Sequence, residues 1–407
     1  MAEVISVQQK VLRVLSIGQI LGGLGVASTV AAGSLLVAGI TGSEAMAGLA
    51  QTSGVLGAAA MAIPLAKLTA RGGRRLALTA GYALGALGAL FAITGGTYRN
   101  IVLMLLGTFF VGAASAAGYQ SRFAAVDLAT DSSRARNLSI VVWGATIGAV
   151  AGPNLMEPAG YVALNLGLPQ LVGPYLFASV TLTLAAIVLF SSLRPDPYLY
   201  AAKLADLPPV TRSKNIRIVL AEIRKIPNAL LALLTIATGH VVMVSIMVMT
   251  PVHMAHVDVQ LRVIGIVISI HVAGMYAFSP VVGYLTDRIG RYRTIAIGLV
   301  LLLASAAISG SAAAVQSVQL AIGLFLLGLG WSATLIAGST LLAESVPTEI
   351  KAGSQGVADL VMNLSGAAGG ALAGVIIAIS SYGWLCAVAS IPVVLLAVYL
   401  QRVTKSN

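Results

Sequence analysis

Long apolar runs, broken by short polar stretches, make up most of the chain. A membrane-crossing helix needs about 20 apolar residues. Twelve runs qualify, at roughly 12–40, 44–66, 76–96, 101–121, 137–160, 172–193, 228–251, 260–283, 294–313, 317–342, 353–379 and 383–400. The longest polar stretch, 194–227, carries Arg194, Lys203, Arg212, Lys214, Arg217, Arg224 and Lys225. It divides the pattern into six spans and six. The expected organisation is an all-α membrane protein of twelve transmembrane helices. A first six-helix bundle occupies 1–193, a linker 194–227 and a second bundle 228–407.

Composition sharpens this reading. Hydrophobic residues are 58% of the chain and charged residues 9%, against about 25% charge in soluble domains. A water-soluble fold could not hide so much apolar sequence. The 44 glycines favour close helix contacts in lipid. Net charge is +11, but the basic residues stand at the ends of apolar runs, so no nucleic-acid partner is expected. With the central stretch in the cytoplasm, only Arg99 and Arg262 among the basic residues fall outside. That is the positive-inside pattern, and it puts both termini in the cytoplasm. The expected location is a bacterial cytoplasmic membrane. Lys10 and Arg13 precede an apolar stretch too long for a cleaved signal peptide, so it reads as the first span. Cys386 is the one cysteine, which rules out an internal disulfide. No catalytic constellation stands out, and no enzyme or cofactor is expected.

The two halves repeat. Gly283-Tyr-Leu-Thr-Asp287-Arg288-Ile-Gly290-Arg291 lies between spans 8 and 9, and Ala66-Lys-Leu-Thr-Ala70-Arg71-Gly-Gly73-Arg74 between spans 2 and 3. Gly73 and Gly290 are 217 positions apart (290 − 73). Asp127 with Arg134 and Glu344 with Lys351 repeat at the same offset. Duplicated parallel halves of this kind mark the major facilitator fold. The G-x-x-x-D-R-x-G-R string resembles the signature loop of that superfamily, although Ala70 replaces the acid in the first copy. Asp287, Arg288, Arg291, Asp127, Arg134, Glu344 and Lys351 therefore read as a charge latch that opens during transport, with topology alone as the other reading. Gly144-x-x-x-Gly148-x-x-x-Gly152-Pro153 in span 5 resembles a glycine motif of facilitator antiporters, and plain small-residue packing accounts for it equally.

Cargo is the harder question. Ionisable groups within spans are costly and commonly functional. Met243 and Met247 fall on one face of span 7, and His271 and Met275 on one face of span 8. Thioether and imidazole form a soft ligand set suited to Cu(I). If the spans are antiparallel neighbours, a rise of about 1.5 Å per residue puts Met243 and His271 at similar depth. His240 continues the span 7 face, and His253, Met254 and His256 stand at its outer end as auxiliary or access positions. Sequence leaves open whether both faces turn inward; otherwise these side chains are packing. The M-x-x-x-M and H-x-x-x-M pair resembles the motifs of the CcoA-like family of bacterial copper importers, which feed cytochrome oxidase assembly. That resemblance implies copper as transported substrate at Met243, Met247, His271 and Met275, with a cytoplasmic copper chaperone as a partner. Two other readings compete. One is a proton-coupled exporter of small hydrophobic molecules, in which Glu157 or Asp359 titrates. The other is a metal sensor that moves nothing.

Overall fold

The computed structural model describes residues 2–406 apart from 44–45, 47, 206–214 and 256–260. Among these residues all regular structure is helical. The first repeat holds α1 (Ala2–Thr41), α2 (Gly48–Thr97), α3 (Ile101–Ala124), α4 (Arg134–Asn154), α5 (Met156–Asn165) and α6 (Gly173–Ser192). Short helices α7 (Pro197–Leu204) and α8 (Ile216–Lys225) follow. The second repeat holds α9 (Pro227–Ala255), α10 (Leu261–Tyr276), α11 (Ser279–Ile289), α12 (Arg291–Gly310), α13 (Ser317–Ser345), α14 (Thr348–Ile379) and α15 (Tyr382–Ser406). Helices satisfy every backbone polar group locally, which hydrocarbon demands.

Ten described helices are long and apolar enough to cross a membrane, and eleven with one bent pair counted. One of the ten, α2, has 50 residues. At about 1.5 Å per residue that is twice the length a bilayer core requires. Gly73 interrupts it with φ 84 and ψ 175. Gly290, its repeat partner, has φ 95 and ψ 160 between α11 and α12. A side chain is strained at such a φ, so glycine is the residue that lets both corners turn. With α2 taken as two crossings, all twelve expected spans are represented.

Three spans differ from their expected form. Span 5 is bent by 60° between α4 and α5, where Pro153 lacks the amide a straight helix would use. Span 8 breaks between Tyr276 and Ser279 into α10 and α11. Span 7 continues past Pro251 to Ala255.

The glycines of span 5 explain how α4 meets α1. A Cβ at Gly148 would strike the Gly23 backbone, and one at Gly152 would strike Ala27 and Ser28. Gly144 lies against Ser16 and Gln19. The G-x-x-x-G-x-x-x-G row is thus a seam of backbone approach, the means by which helices associate in lipid. Gly148→Val should lower the thermal midpoint and the yield of monodisperse protein. Gly374→Ala, where a Cβ meets nothing, should leave both unchanged. Equal behaviour of the two variants would refute the seam.

The chain forms two compact units. The first is Met1–Ala129, Gly144–Ile216 and Thr348–Leu360, and the second is Thr130–Trp143, Arg217–Pro347 and Val361–Asn407. The units therefore cross the division at 194–227. The start of α4 belongs with the second repeat, and the start of α14 with the first.

Candidate functional site

Two charge clusters occupy equivalent positions of the repeat. In the first unit Arg74 donates to both carboxylate oxygens of Asp127, at 2.8 and 3.2 Å, and to Gln355 Oε1 at 2.6 Å. Lys351 approaches Asp127 at 3.7 Å. The Arg74 and Asp127 side chains are each 1% exposed. In the second unit Arg291 donates to both oxygens of Glu344, at 3.1 and 2.6 Å. Arg134 lies 3.4 Å from Glu344 and 2.7 Å from Asp131. Asp287 accepts from the amides of Ala135 and Arg136 at 3.0 and 2.8 Å, so it caps the first turn of α4 where amides lack helical partners. It also lies 3.4 Å from Arg291. Arg288 is apart from the cluster and donates to Tyr284 Oη.

Each acid thus takes a base from the other repeat: Asp127 takes Lys351, and Glu344 takes Arg134. Ala70 cannot cap as Asp287 does. At that corner Asp196 accepts from the Arg75 amide at 2.7 Å and caps α7 through the Tyr198 and Leu199 amides.

A third charged group has no equivalent in the repeat. Arg122 of α3 donates to Asp359 of α14 at 2.6 Å, with side chains 2% and 0% exposed. The Arg122 guanidinium lies 4.6 Å over the Phe123 ring and donates to the Tyr119 carbonyl. Shifted by the repeat offset of 217 (290 − 73), these positions are Ser339 and Val142. Lys351, Gln355, Asp359 and Asn363 recur every fourth residue, which puts them on one face of α14. The corresponding positions of α4 are Arg134, Leu138, Val142 and Thr146. The two middle positions of this face are therefore polar in α14 and apolar in α4.

The soft-ligand candidates Met243 and Met247 lie on α9, and His271 and Met275 on α10. α10 packs on α13 and touches α9 only slightly, while α9 also packs on α13. The contact between α9 and α10 is therefore small beside the one each makes with α13. His240 accepts from Trp331 Nε1 of α13 at 3.0 Å and lies against Gly366 of α14. Trp331 also meets Tyr276 edge to face at 5.5 Å. Met243 is buried and Met247 partly so.

His271 is fully buried. Its Nδ1 bonds the Leu324 carbonyl at 2.8 Å, so that nitrogen carries the proton, and Nε2 has no hydrogen-bond partner. Met275, one turn on, is also buried. His253 stacks on Tyr382 at 4.4 Å, with Nε2 3.3 Å from the Ala312 carbonyl. Met254 is buried, and His256 lies outside the described residues. No group of three or more His, Cys, Asp or Glu suited to a metal occurs among the described residues. Glu157 is exposed, 3.5 Å from Tyr161 Oη.

Arg122 with Asp359 was the group hardest to foresee. Its signal was the four-residue spacing of polar positions along a span, which needed to be read with an arginine 237 residues away.

A family model described as Major Facilitator Superfamily matches residues 15–261 and 233–407. The chain is 39% identical over 378 residues to the uncharacterized MFS-type transporter YdeG of Bacillus subtilis, covering 93% of this chain and 88% of the relative. It is 26% identical to the riboflavin transporter RfnT of Brucella anthropi, covering 86% and 84%. Among solved structures it is similar to the proton:xylose symporter XylE, with a TM-score of 0.74 and 15% identity over 98% of this chain and 96% of that one.

Proposed function

The chain belongs to the major facilitator superfamily, and from that premise we propose that it is a proton-coupled transporter of a small organic solute. It is a multi-pass membrane transporter; the solute and the coupling are the proposal. The observation that carries it is the buried Arg122–Asp359 pair. Removing one partner of such a pair leaves an uncompensated buried charge, at a cost of about 3–5 kcal/mol. Alternating access requires helices to change neighbours. A proton taken up by Asp359 neutralises the carboxylate, so that Arg122 can leave it without stranding an anion in hydrocarbon.

In this reading the largely buried aromatic group of Tyr276, Trp331 and His240 becomes the contact for a planar solute as the helices change neighbours. The riboflavin transporter relative fits that chemistry. In this reading the Arg74–Asp127–Lys351 and Arg291–Glu344–Arg134 clusters are the latch. The basic helix ends face the cytoplasm of a bacterium, and both termini lie there. A panel of flavins and other planar solutes, screened for uptake into proteoliposomes under an imposed pH gradient, tests the reading. Accumulation that collapses with the gradient supports it. Accumulation indifferent to the gradient contradicts it.

Copper import is the second reading. What favours it is His271, whose protonated Nδ1 is fixed by a carbonyl while its buried Nε2 has no hydrogen-bond partner, with Met275 one turn on. Nδ1–H to a carbonyl is the usual support of an imidazole ligand. On it, His271 and Met275 of α10 work with Met243 and Met247 of α9, both helices packing on α13. On this reading His271→Ala and Met247→Ala each reduce radioactive copper uptake by cells at equal protein level. On the organic-solute reading both equal wild type.

A further inference from the structure

We propose that the first unit holds an anionic phospholipid, with its headgroup at the α6–α7 junction and one acyl chain along a groove between α2 and α6. The groove has a volume of about 720 Å³ and is almost entirely apolar, with Leu87 and Leu90 on one wall and Leu184 and Ile187 on the other. All four side chains are more than a third exposed, which suits an occupant that is itself hydrocarbon. Phe190 closes one end.

At that end the chemistry changes from apolar to basic. The Arg75 guanidinium lies 5.4 Å and that of Arg194 5.8 Å from the centre of the Phe190 ring. Both arginines, with Lys203 and Tyr200, line a second hollow of about 530 Å³. Its one acid, Asp196, is already engaged by three amides, those of Arg75, Tyr198 and Leu199. The lining therefore holds three cations against one carboxylate, and with Glu3, which accepts from Tyr200 Oη at 3.5 Å, the balance stays positive. Phe190 stands between hollow and groove: it lines the groove, and both arginines of the hollow lie against its ring. A basic recess at the end of an apolar groove fits a phosphate headgroup with its tail. Neither half alone would select a lipid: the groove would take any chain, and the recess any anion.

Native mass spectrometry of the full chain, in micelles containing equal amounts of phosphatidylglycerol and phosphatidylcholine, tests this. Wild type should retain phosphatidylglycerol in preference to phosphatidylcholine. Each basic residue near a headgroup contributes about fivefold, so Arg75→Gln with Arg194→Gln and Lys203→Gln should lower retention by about a hundredfold. Lys203→Gln alone, at an exposed position, should lower it about fivefold and keeps the test open if the triple variant does not fold. Leu184→Trp fills the groove, leaves the basic residues in place and should also lower retention. Millimolar inorganic phosphate should not displace the lipid. Equal retention of both lipids by wild type, or retention unchanged by Lys203→Gln and the triple variant alike, overturns the proposal. Displacement by phosphate with Leu184→Trp without effect overturns it as well and assigns the recess to the free anion.

Discussion

Replacing Asp359 with Asn should abolish accumulation driven by a pH gradient while leaving solute exchange across the membrane intact. Asn keeps the size and hydrogen-bonding capacity of the side chain but cannot take up or release the proton. Exchange needs only alternating access; accumulation needs the proton. Each single variant, Arg122→Gln or Asp359→Asn, removes one partner of the buried pair, whose side chains are 2% and 0% exposed. Loss of one partner of a buried pair costs about 3–5 kcal/mol, so both thermal midpoints should fall well below wild type. The double variant Arg122→Gln with Asp359→Asn should recover most of that stability and remain uncoupled, because neutral amides can bond each other. Thermal midpoints of the three variants, with accumulation and exchange measured in the same proteoliposomes, check this. Additive destabilisation in the double variant would show that the two side chains do not act as a pair.

The second large effect concerns the latch. Asp127→Ala leaves Arg74, 1% exposed, facing Gln355 with its acid gone. The expected cost is again about 3–5 kcal/mol. Glu344→Ala removes the equivalent acid of the second repeat, but Glu344 is 22% exposed. Water compensates the arginines there, so the cost should be about 1 kcal/mol. The repeat makes these two positions formally equivalent, and burial makes them unequal. Denaturation monitored through thermal midpoints in detergent should therefore rank Asp127→Ala far below Glu344→Ala. Equal midpoints would mean that the sequence repeat, rather than local solvation, sets the energetics.

Much of the architecture is legible in the residues. Apolar run lengths locate the spans, and the 217-residue offset (290 − 73) anticipates that Gly73 and Gly290 turn the same corner. The offset also singles out Asp127, Arg134, Glu344 and Lys351, but not their partners. Read along the chain, each acid stands seven positions before its base. In the structure Asp127 meets Lys351 and Glu344 meets Arg134. The exchange follows from which helix starts pack with which repeat, and no local pattern encodes that.

The soft-ligand pairs show a related limit. Helical spacing places Met243 with Met247 and His271 with Met275 on shared faces, but chain order does not say which helices pack most closely. α13 takes the packing surface of α10, through close approach of Gly328 to the His271 backbone. The Arg122–Asp359 pair is illegible for the opposite reason. Neither residue carries a motif, and their meeting depends on α3 and α14 packing at one depth.

The most direct test of proton coupling needs no knowledge of the solute. Proteoliposomes adsorbed on a solid-supported membrane report charge movement within the protein after a rapid pH jump. Wild type should give a transient charge displacement that Asp359→Asn eliminates at equal reconstitution. A displacement of the same size in Asp359→Asn, or none in wild type, would contradict the assignment of proton coupling to the Arg122–Asp359 pair.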